Sequence, residues 1–123
     1  MITIDAHSPV PIYEQVKTEL HGLVARGMLK PGDQVPAIRV LSQTLLVNPN
    51  TIARAYRELV MEGFLETRRG EGNYISAQAR SRANDSLDGS RKQLLEAILS
   101  ARRAGLGWKE VLLIVQKAKG EEA

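Results

Sequence analysis

One capped, amphipathic helix constrains the fold of this chain more than any other feature of the sequence. Asn48 is a residue type that caps helix N-termini, and Pro49 suits the first helical turn, where its fixed φ is favourable and its missing N–H is not needed. The apolar residues that follow share one helical face: Ile52, Ala55, Tyr56, Leu59 and Val60. At about 100° per residue, Asn50, Arg54 and Arg57 project from the opposite face. The pattern predicts a helix that packs through one side and leaves the other free for contacts.

Two further helices are predicted upstream. The first opens at Pro11 and ends near Gly27. Its apolar stripe is made by Ile12, Val16, Leu20, Leu23 and Val24. Residues 30–33 contain the proline and glycine of a tight turn, and a short second helix follows Pro36. This helix is expected to turn three side chains inward: Val40, Leu41 and Leu45.

β-structure is predicted on both sides of this helical block. Residues 2–4 alternate apolar and polar side chains, which is typical of a short strand. Residues 64–69 have the pattern of a second strand, residues 70–72 can turn the chain, and residues 73–76 can return it. The predicted hairpin has a basic flank.

The C-terminal part of the chain is predicted to be a linker followed by two short helices. Residues 77–89 are polar and small with no sustained periodicity, so we expect a linker there. In residues 90–119, Ser90 and Gln93 fit a capping box, and two glycines separate two apolar-striped helices. These stripes need a partner, and the simplest one is a second copy of the chain. The expected dimer contacts are Leu94, Leu95, Ile98, Trp108, Val111, Leu112 and Val115.

Composition excludes several classes of protein. The 123 residues carry a formal net charge of +3, but residues 1–75 contain eight basic and eight acidic side chains, so global charge says little about a polyanionic partner. The absence of cysteine excludes disulfides and thiolate chemistry. No run of about 18 apolar residues and no targeting segment is present, so we expect a cytoplasmic protein with no membrane partner.

No pattern indicates catalysis. The sequence has no nucleophile elbow, no phosphate-cradling loop and no histidine paired with a carboxylate at a useful spacing. His7 and His21 have no partners at metal-ligand spacing. We therefore expect a chain that is not an enzyme and that uses no cofactor and no metal.

Four segments, taken in order, resemble the winged helix-turn-helix of GntR-family transcriptional regulators. They are PIYEQV at 11–16, GMLKPGDQVPAIR at 27–39, VNPNTIARAYREL at 47–59 and GEGNYI at 70–75. The third is similar to the YtrA-like branch, whose members carry a brief helical tail in place of a large effector domain. The resemblance implies a mainly α fold with a small β-hairpin. It places a winged helix-turn-helix at residues 1–76, a linker at 77–89 and a two-helix dimerisation tail at 90–119.

The resemblance also implies a function. It predicts a repressor that binds double-stranded operator DNA as a homodimer on a palindromic site, with a neighbouring transporter operon as its target. A small-molecule effector is compatible with this function, but the sequence does not identify one. Side chains early in a recognition helix can bond base edges, while arginines can reach guanine or phosphate. The resemblance makes Arg39 a DNA contact, and Asn48 is predicted both as a cap and as a contact. The expected DNA-contact set is Arg39, Asn48, Asn50, Thr51, Arg54, Arg57, Arg68, Arg69, Gly70 and Gly72.

Some positions depart from the family pattern. Family members often have serine where Ala37 stands and arginine where Pro49 and Ala53 stand, all near the DNA, so a generic contact map does not transfer. Arg54 lies one position past the usual arginine and is a candidate substitute for it. Leu46 occupies a turn position where the family often has glycine.

An alternative function from another class stays open at this point. The helix-turn-helix would serve as a scaffold, and the C-terminal helices would bind a partner protein. The zero charge balance of residues 1–75 keeps this protein-interaction module open as an alternative.

Overall fold

The computed structural model describes residues 2–122, and this range forms five helices and one hairpin. In chain order the elements are α1 (Ile12–Ala25), α2 (Ile38–Leu45), α3 (Pro49–Met61), β1 (Leu65–Arg68), β2 (Gly72–Ile75), α4 (Ala79–Arg103) and α5 (Trp108–Glu122). The chain divides into two compact units, one up to Leu87 and one from Asp88 onward. The predicted fold class, mainly helical with a small hairpin, is confirmed.

The first unit is built around the packing of α1 against α3. The predicted stripes of these helices are buried through Val16, Leu20, Leu23, Val24, Ile52, Ala55, Tyr56 and Leu59. Val35, Phe64 and Ile75 close the same cluster from the loop before α2 and from the hairpin region. The Tyr56 hydroxyl donates to the carbonyl oxygen of Pro36 at 2.7 Å, so its polar end is satisfied inside the core. Burial raises the pKa of Tyr56 well above its usual range.

Helix α2 turns inward a different set of side chains from the predicted one. Leu41 and Ser42 are buried, and Ile38 and Leu45 pack partly buried against the core. Val40 is 54% exposed, so its predicted inward position is wrong. The helix faces the core through positions three and four residues apart, counted from Ile38, and Val40 lies about 200° around the helix from that residue. Packing against α3 therefore sets which face of α2 is buried.

The turn between α2 and α3 contains a leucine in the left-handed conformation. Leu46 has φ 57° and ψ 46°. The N–H of Val47 donates to the Ser42 carbonyl at 3.0 Å and ends the helix. The left-handed conformation costs a residue with a Cβ about 1–2 kcal/mol. The Leu46 side chain is 90% exposed, so its burial does not offset this cost.

The predicted hairpin is present and is tied to the segment before α2. β1 and β2 are antiparallel, with Leu65 opposite Ile75. Gln34 forms a β-bridge with Tyr74 on the other edge of β2. The side-chain amide of Gln34 also donates to the carbonyl of Glu71 at 2.7 Å. The tip of the hairpin is thus stabilised by Gln34 as well as by the hydrogen bonds between its own two strands.

The N-terminal segment is not the strand that its alternating pattern predicts. Residues 2–4 are not part of a strand and form no ladder hydrogen bonds. Ile2 and Ile4 pack partly buried against the core, and the Thr3 hydroxyl donates to the Glu19 carboxylate at 3.3 Å. The prediction is wrong because a strand needs a neighbouring backbone to pair with, whereas this segment lies against side chains.

Helix α4 begins much earlier than predicted. Most of the linker predicted at 77–89 is helical from Ala79 onward, and Ser90 lies inside the helix instead of capping it. Ala79 and Ala83, one turn apart, are 0% and 1% exposed and belong to the core of the first unit. Two alanines make a weak apolar pattern in a sequence. Their burial nevertheless stabilises a helix that its local composition does not predict.

The second unit contains the rest of α4 and all of α5, separated by a short turn as the glycines predict. Gly105 takes φ 112°, and the N–H of Leu106 donates to the Ala101 carbonyl at 3.0 Å, which closes the end of α4. Val111 is buried, whereas many of the other large apolar side chains of this unit are exposed. None of the helices within residues 2–122 is both long and apolar enough to cross a membrane.

Candidate nucleic-acid interface

The N-terminal end of α3 is capped as predicted and leaves polar side chains in solvent. Asn48 Oδ1 accepts the N–H of Asn50 at 2.8 Å, and the Asn48 carbonyl accepts the N–H of Thr51 at 3.0 Å. Asn50, Arg54 and Arg57 are exposed opposite the buried stripe, and Thr51 is half-buried. A helix held by the core through one face, with its N-terminal residues free on the other, has the arrangement that enters a major groove.

Arg54 is exposed, but it has partners within the protein. Its Nε donates to Glu58 Oε2 at 3.0 Å, and its guanidinium carbon lies 3.7 Å from the centre of the Tyr13 ring on α1. The other oxygen of Glu58 accepts from Lys17 Nζ at 2.9 Å, and Lys17 also reaches Glu62 at 2.8 Å. The sequence alone does not point to Tyr13 or Lys17 as part of this surface. The sequence shows only that Arg54 and Glu58 are four residues apart, a spacing at which two side chains can pair on a helix.

These ion pairs shift the pKa values of Lys17 and Glu58. Burial acts to lower the pKa of Lys17, but its hydrogen bonds to Glu62 and Glu58 outweigh burial and the net shift is upward. Hydrogen bonds from Lys17 and Arg54 lower the pKa of Glu58. Lys17 and Glu58 are therefore both ionised at neutral pH.

Arg39 and Arg57 of the helix-turn-helix are not paired with other described residues of the protein. Arg39 lies in the first turn of α2, Arg57 lies on the outward face of α3, and both are exposed. Neither side chain makes a hydrogen bond or an ion pair with another described residue. Each can therefore reach a phosphate or a base without breaking a contact inside the protein.

The tip of the hairpin requires glycine. Gly70 and Gly72 have φ values of 78° and 109°, which residues with a Cβ rarely adopt. A Cβ at position 72 would also lie 3.1 Å from the side-chain nitrogen of Gln34. The two glycines leave the tip without Cβ atoms at these positions, so its backbone can approach another surface closely.

The two arginines beside this tip differ in their partners. Arg68 Nη2 lies 3.0 Å from Glu66 Oε1, and the Arg68 guanidinium carbon lies 3.8 Å from the centre of the Tyr74 ring. Arg69 is exposed and makes no side-chain hydrogen bond or ion pair within the described part of the chain. Arg69 is consequently the freer positive charge of the hairpin.

The predicted dimer residues of the second unit have different environments. Five of them are between 46% and 62% exposed: Leu94, Leu95, Trp108, Leu112 and Val115. Ile98 is half-buried, and Val111 is only 7% exposed within its own unit. Several of the seven line an apolar groove of about 190 Å³ between α4 and α5. Leu99, Leu113 and Ile114 extend the exposed apolar surface beyond the predicted set.

Comparison with known proteins decides the family. Residues 12–75, more than half of the chain, match the family model described as bacterial regulatory proteins, gntR family. The chain belongs to the GntR family. This GntR protein is 41% identical over 107 residues to the HTH-type transcriptional repressor YtrA of Bacillus subtilis (strain 168), a match that covers 86% of this chain and 82% of that protein. Within the GntR family the chain is thus YtrA-like.

Solved GntR structures share the fold. YtrA from Sulfolobus acidocaldarius, a GntR-family transcription factor, is 32% identical and superposes with a TM-score of 0.60 over 98% of this chain and 97% of that one. The DNA-binding domain of AraR in complex with operator ORE1 is 28% identical, with a TM-score of 0.53 over 62% of this chain and 93% of that one. The GntR protein described here is a DNA-binding transcriptional regulator and not an enzyme. DNA-binding is therefore favoured over the protein-interaction module.

Proposed function

We propose that this GntR regulator is a homodimeric repressor that binds a palindromic operator whose half-sites lie about one helical turn apart. The observation that carries the proposal is the outward face of α3. There, Asn50, Arg54 and Arg57 are exposed on a helix whose other face is held by the core. By its YtrA-like character, the regulator acts in the cytoplasm on a neighbouring transporter operon.

Side chains of the recognition helix contact both bases and phosphates. Asn50 and Thr51, in the first turn of α3, bond base edges, and the amide of Asn50 suits the donor and acceptor pair of adenine. Arg54 and Arg57 reach guanine or phosphate from the same exposed face. Asn48 combines its capping bond with a contact to DNA.

Phosphate contacts around the helix fix its register on the duplex. Arg39 supplies one from the start of α2. The hairpin acts as the wing, in which Arg68 and Arg69 carry positive charge to the minor-groove edge. Gly70 and Gly72 let the wing backbone come close to the DNA.

The second unit supplies the dimer contact. Its exposed leucines, Trp108 and the apolar groove form a surface that is costly to leave in water, and a palindromic operator requires two copies related by a two-fold axis. A glutamate in place of Leu112, which is 62% exposed, should convert the dimer to a monomer in sedimentation velocity runs at micromolar concentration. Met28→Glu, at a residue 57% exposed in the first unit, is the matched control and should leave the dimer intact.

DNA-binding measurements test the proposal as a whole. The wild-type chain should select a palindromic site from random-sequence duplexes and protect a related site upstream of its own gene from nuclease. Arg54→Ala should cost about 1–3 kcal/mol of binding free energy on the selected duplex if Arg54 contacts a base. Arg26→Ala removes the same charge at the opposite end of α1 from Tyr13 and should change little. A monomeric chain that selects no site would refute the proposal.

A further inference from the structure

A ladder of contacts joins α1 to the outward face of α3. Tyr13 and Lys17 are one turn apart on α1. Arg54, Glu58 and Glu62 follow one another at four-residue spacing from the middle of α3 to its C-terminal cap. The Tyr13 ring covers Arg54 at 3.7 Å, Arg54 binds Glu58 at 3.0 Å, and Lys17 ties Glu58 and Glu62 at 2.9 and 2.8 Å. The residues of the ladder therefore fix one another across two helices.

The contacts of the ladder leave the Nη end of the Arg54 guanidinium available for hydrogen bonds to a ligand. An arginine has five N–H donors in a planar fork, and only the Nε donor is used, by Glu58. The four N–H groups on the two Nη atoms make no hydrogen bond with any residue in the described part of the chain. Tyr13 covers one face of the plane, so the plane has a set direction. A fork held in this way presents the end that binds a guanine edge or a phosphate in bidentate fashion.

We infer that Tyr13 and Glu58 are positioning residues of the DNA interface, which pre-orient the Arg54 fork for the operator. The inference rests on the proposed contact of Arg54 with DNA. Arginine has many rotamers, and holding one of them before binding removes part of the ordering cost that binding otherwise carries. Lys17 supports this arrangement because its buried ammonium binds Glu58 and so holds the carboxylate with which Arg54 pairs.

The charges of the ladder are compatible with a DNA-facing position. The negative charge of Glu58 would repel phosphates if it stood alone. One of its oxygens binds Lys17, which is shared with Glu62, and the other binds Arg54, so both oxygens of the Glu58 carboxylate are used within the protein. The exposed end of the group is consequently the positive fork of Arg54, and Glu58 acts only through it.

A double-mutant cycle between Tyr13 and Arg54 tests the inference. Binding is measured by fluorescence anisotropy at one fixed salt concentration, with the duplex that the wild-type chain selects and with a random duplex of equal length. Tyr13→Leu removes the aromatic face and should weaken binding to the selected duplex by about two- to fivefold. Tyr13→Phe keeps the face and should bind like wild type. In the Arg54→Ala background, Tyr13→Leu should have no further effect.

Urea unfolding of each variant shows whether a loss of binding follows from a loss of folded protein. If Tyr13→Leu weakens binding equally with and without Arg54, or if Tyr13→Phe is as weak as Tyr13→Leu, Tyr13 acts on DNA directly and the inference is overturned. If Tyr13→Leu strengthens binding, the stacked arginine is withheld from DNA, and the inference is overturned as well. Unchanged binding by Arg54→Ala alone would instead remove the proposed contact of Arg54, and the inference would fall with it.

Discussion

Lys17 of α1 and Glu62 at the C-terminal cap of α3 are joined by an ion pair of 2.8 Å, in which the lysine side chain is only 11% exposed. The same ammonium binds Glu58 at 2.9 Å. A buried ammonium is unfavourable unless its donors are satisfied, and two carboxylates at the edge of the core satisfy it here. The arrangement ties the two helices that form the core and supports the surface proposed to face DNA.

Removing this ammonium should destabilise the fold. Lys17→Met keeps most of the apolar stem but takes the ammonium away from Glu62 and leaves Glu58 paired with Arg54 alone. We expect the free energy of unfolding, measured by urea titration, to fall by about 1–3 kcal/mol, since both carboxylates keep access to water. Lys117→Met, at an exposed position of α5, is the control and should change stability by less than about 0.5 kcal/mol. Equal effects of the two substitutions would contradict a role for the buried pair.

His21 should make the stability of the protein depend on pH. Its ring stacks on Phe64 with centroids 4.3 Å apart, its Nδ1 is buried without a hydrogen-bond partner among the described residues, and burial lowers its pKa despite the nearby Glu62. As pH falls below the ordinary value of 6.5, the unfolded chain takes up the proton first, so stability should decrease until the lowered folded pKa is passed.

The variant His21→Phe tests this assignment because it keeps an aromatic ring against Phe64 and cannot be protonated. Thermal unfolding followed by circular dichroism between pH 7.5 and pH 5 should show a smaller loss of stability for His21→Phe than for wild type. His7→Phe, at an exposed position, should retain the wild-type profile. A His21→Phe profile that overlies the wild-type curve would assign the pH dependence to other groups.

The left-handed turn residue should respond to glycine but not to alanine. Leu46→Gly removes the backbone strain while losing little packing, because the side chain is 90% exposed. Glycine also increases the entropy of the unfolded chain, so the net gain in unfolding free energy should be about 0.5–1 kcal/mol. Leu46→Ala keeps a Cβ at φ 57° and should gain much less. A gain with alanine as large as that with glycine would show that the leucine side chain, and not its backbone, is unfavourable.

The wing should contribute mainly through charge. Arg69→Ala should lower the slope of log K against log salt by about 1, with a similar loss on operator and random DNA. Arg68→Ala should lower the slope less, because Arg68 must first leave Glu66 and the Tyr74 ring. Arg26→Ala is the control and should leave the slope unchanged. An unchanged slope for Arg69→Ala would place the wing away from the phosphates.

Local patterns in the sequence are enough to predict most of the helix-turn-helix and the hairpin. Asn48 and Pro49 set the start of α3 through a cap and a fixed φ, which are properties of adjacent residues. The stripe of α3 is long enough to establish helical spacing, and the glycines of the hairpin mark its tip. The exposed positions of Asn50 and Arg57 follow directly, because the buried face of a helix determines its opposite face.

Contacts between distant segments decide the remainder. The start of α4 depends on Ala79 and Ala83 fitting against the core, and the buried face of α2 depends on α3, so that Val40 is exposed. The sequence places Arg54 on the outward face of α3, but only the tertiary structure brings Tyr13 over its guanidinium and Lys17 beneath Glu58, across a separation of about forty residues. Local propensity acts over a few residues, whereas side-chain stacking and buried ion pairs depend on which helices the core brings together.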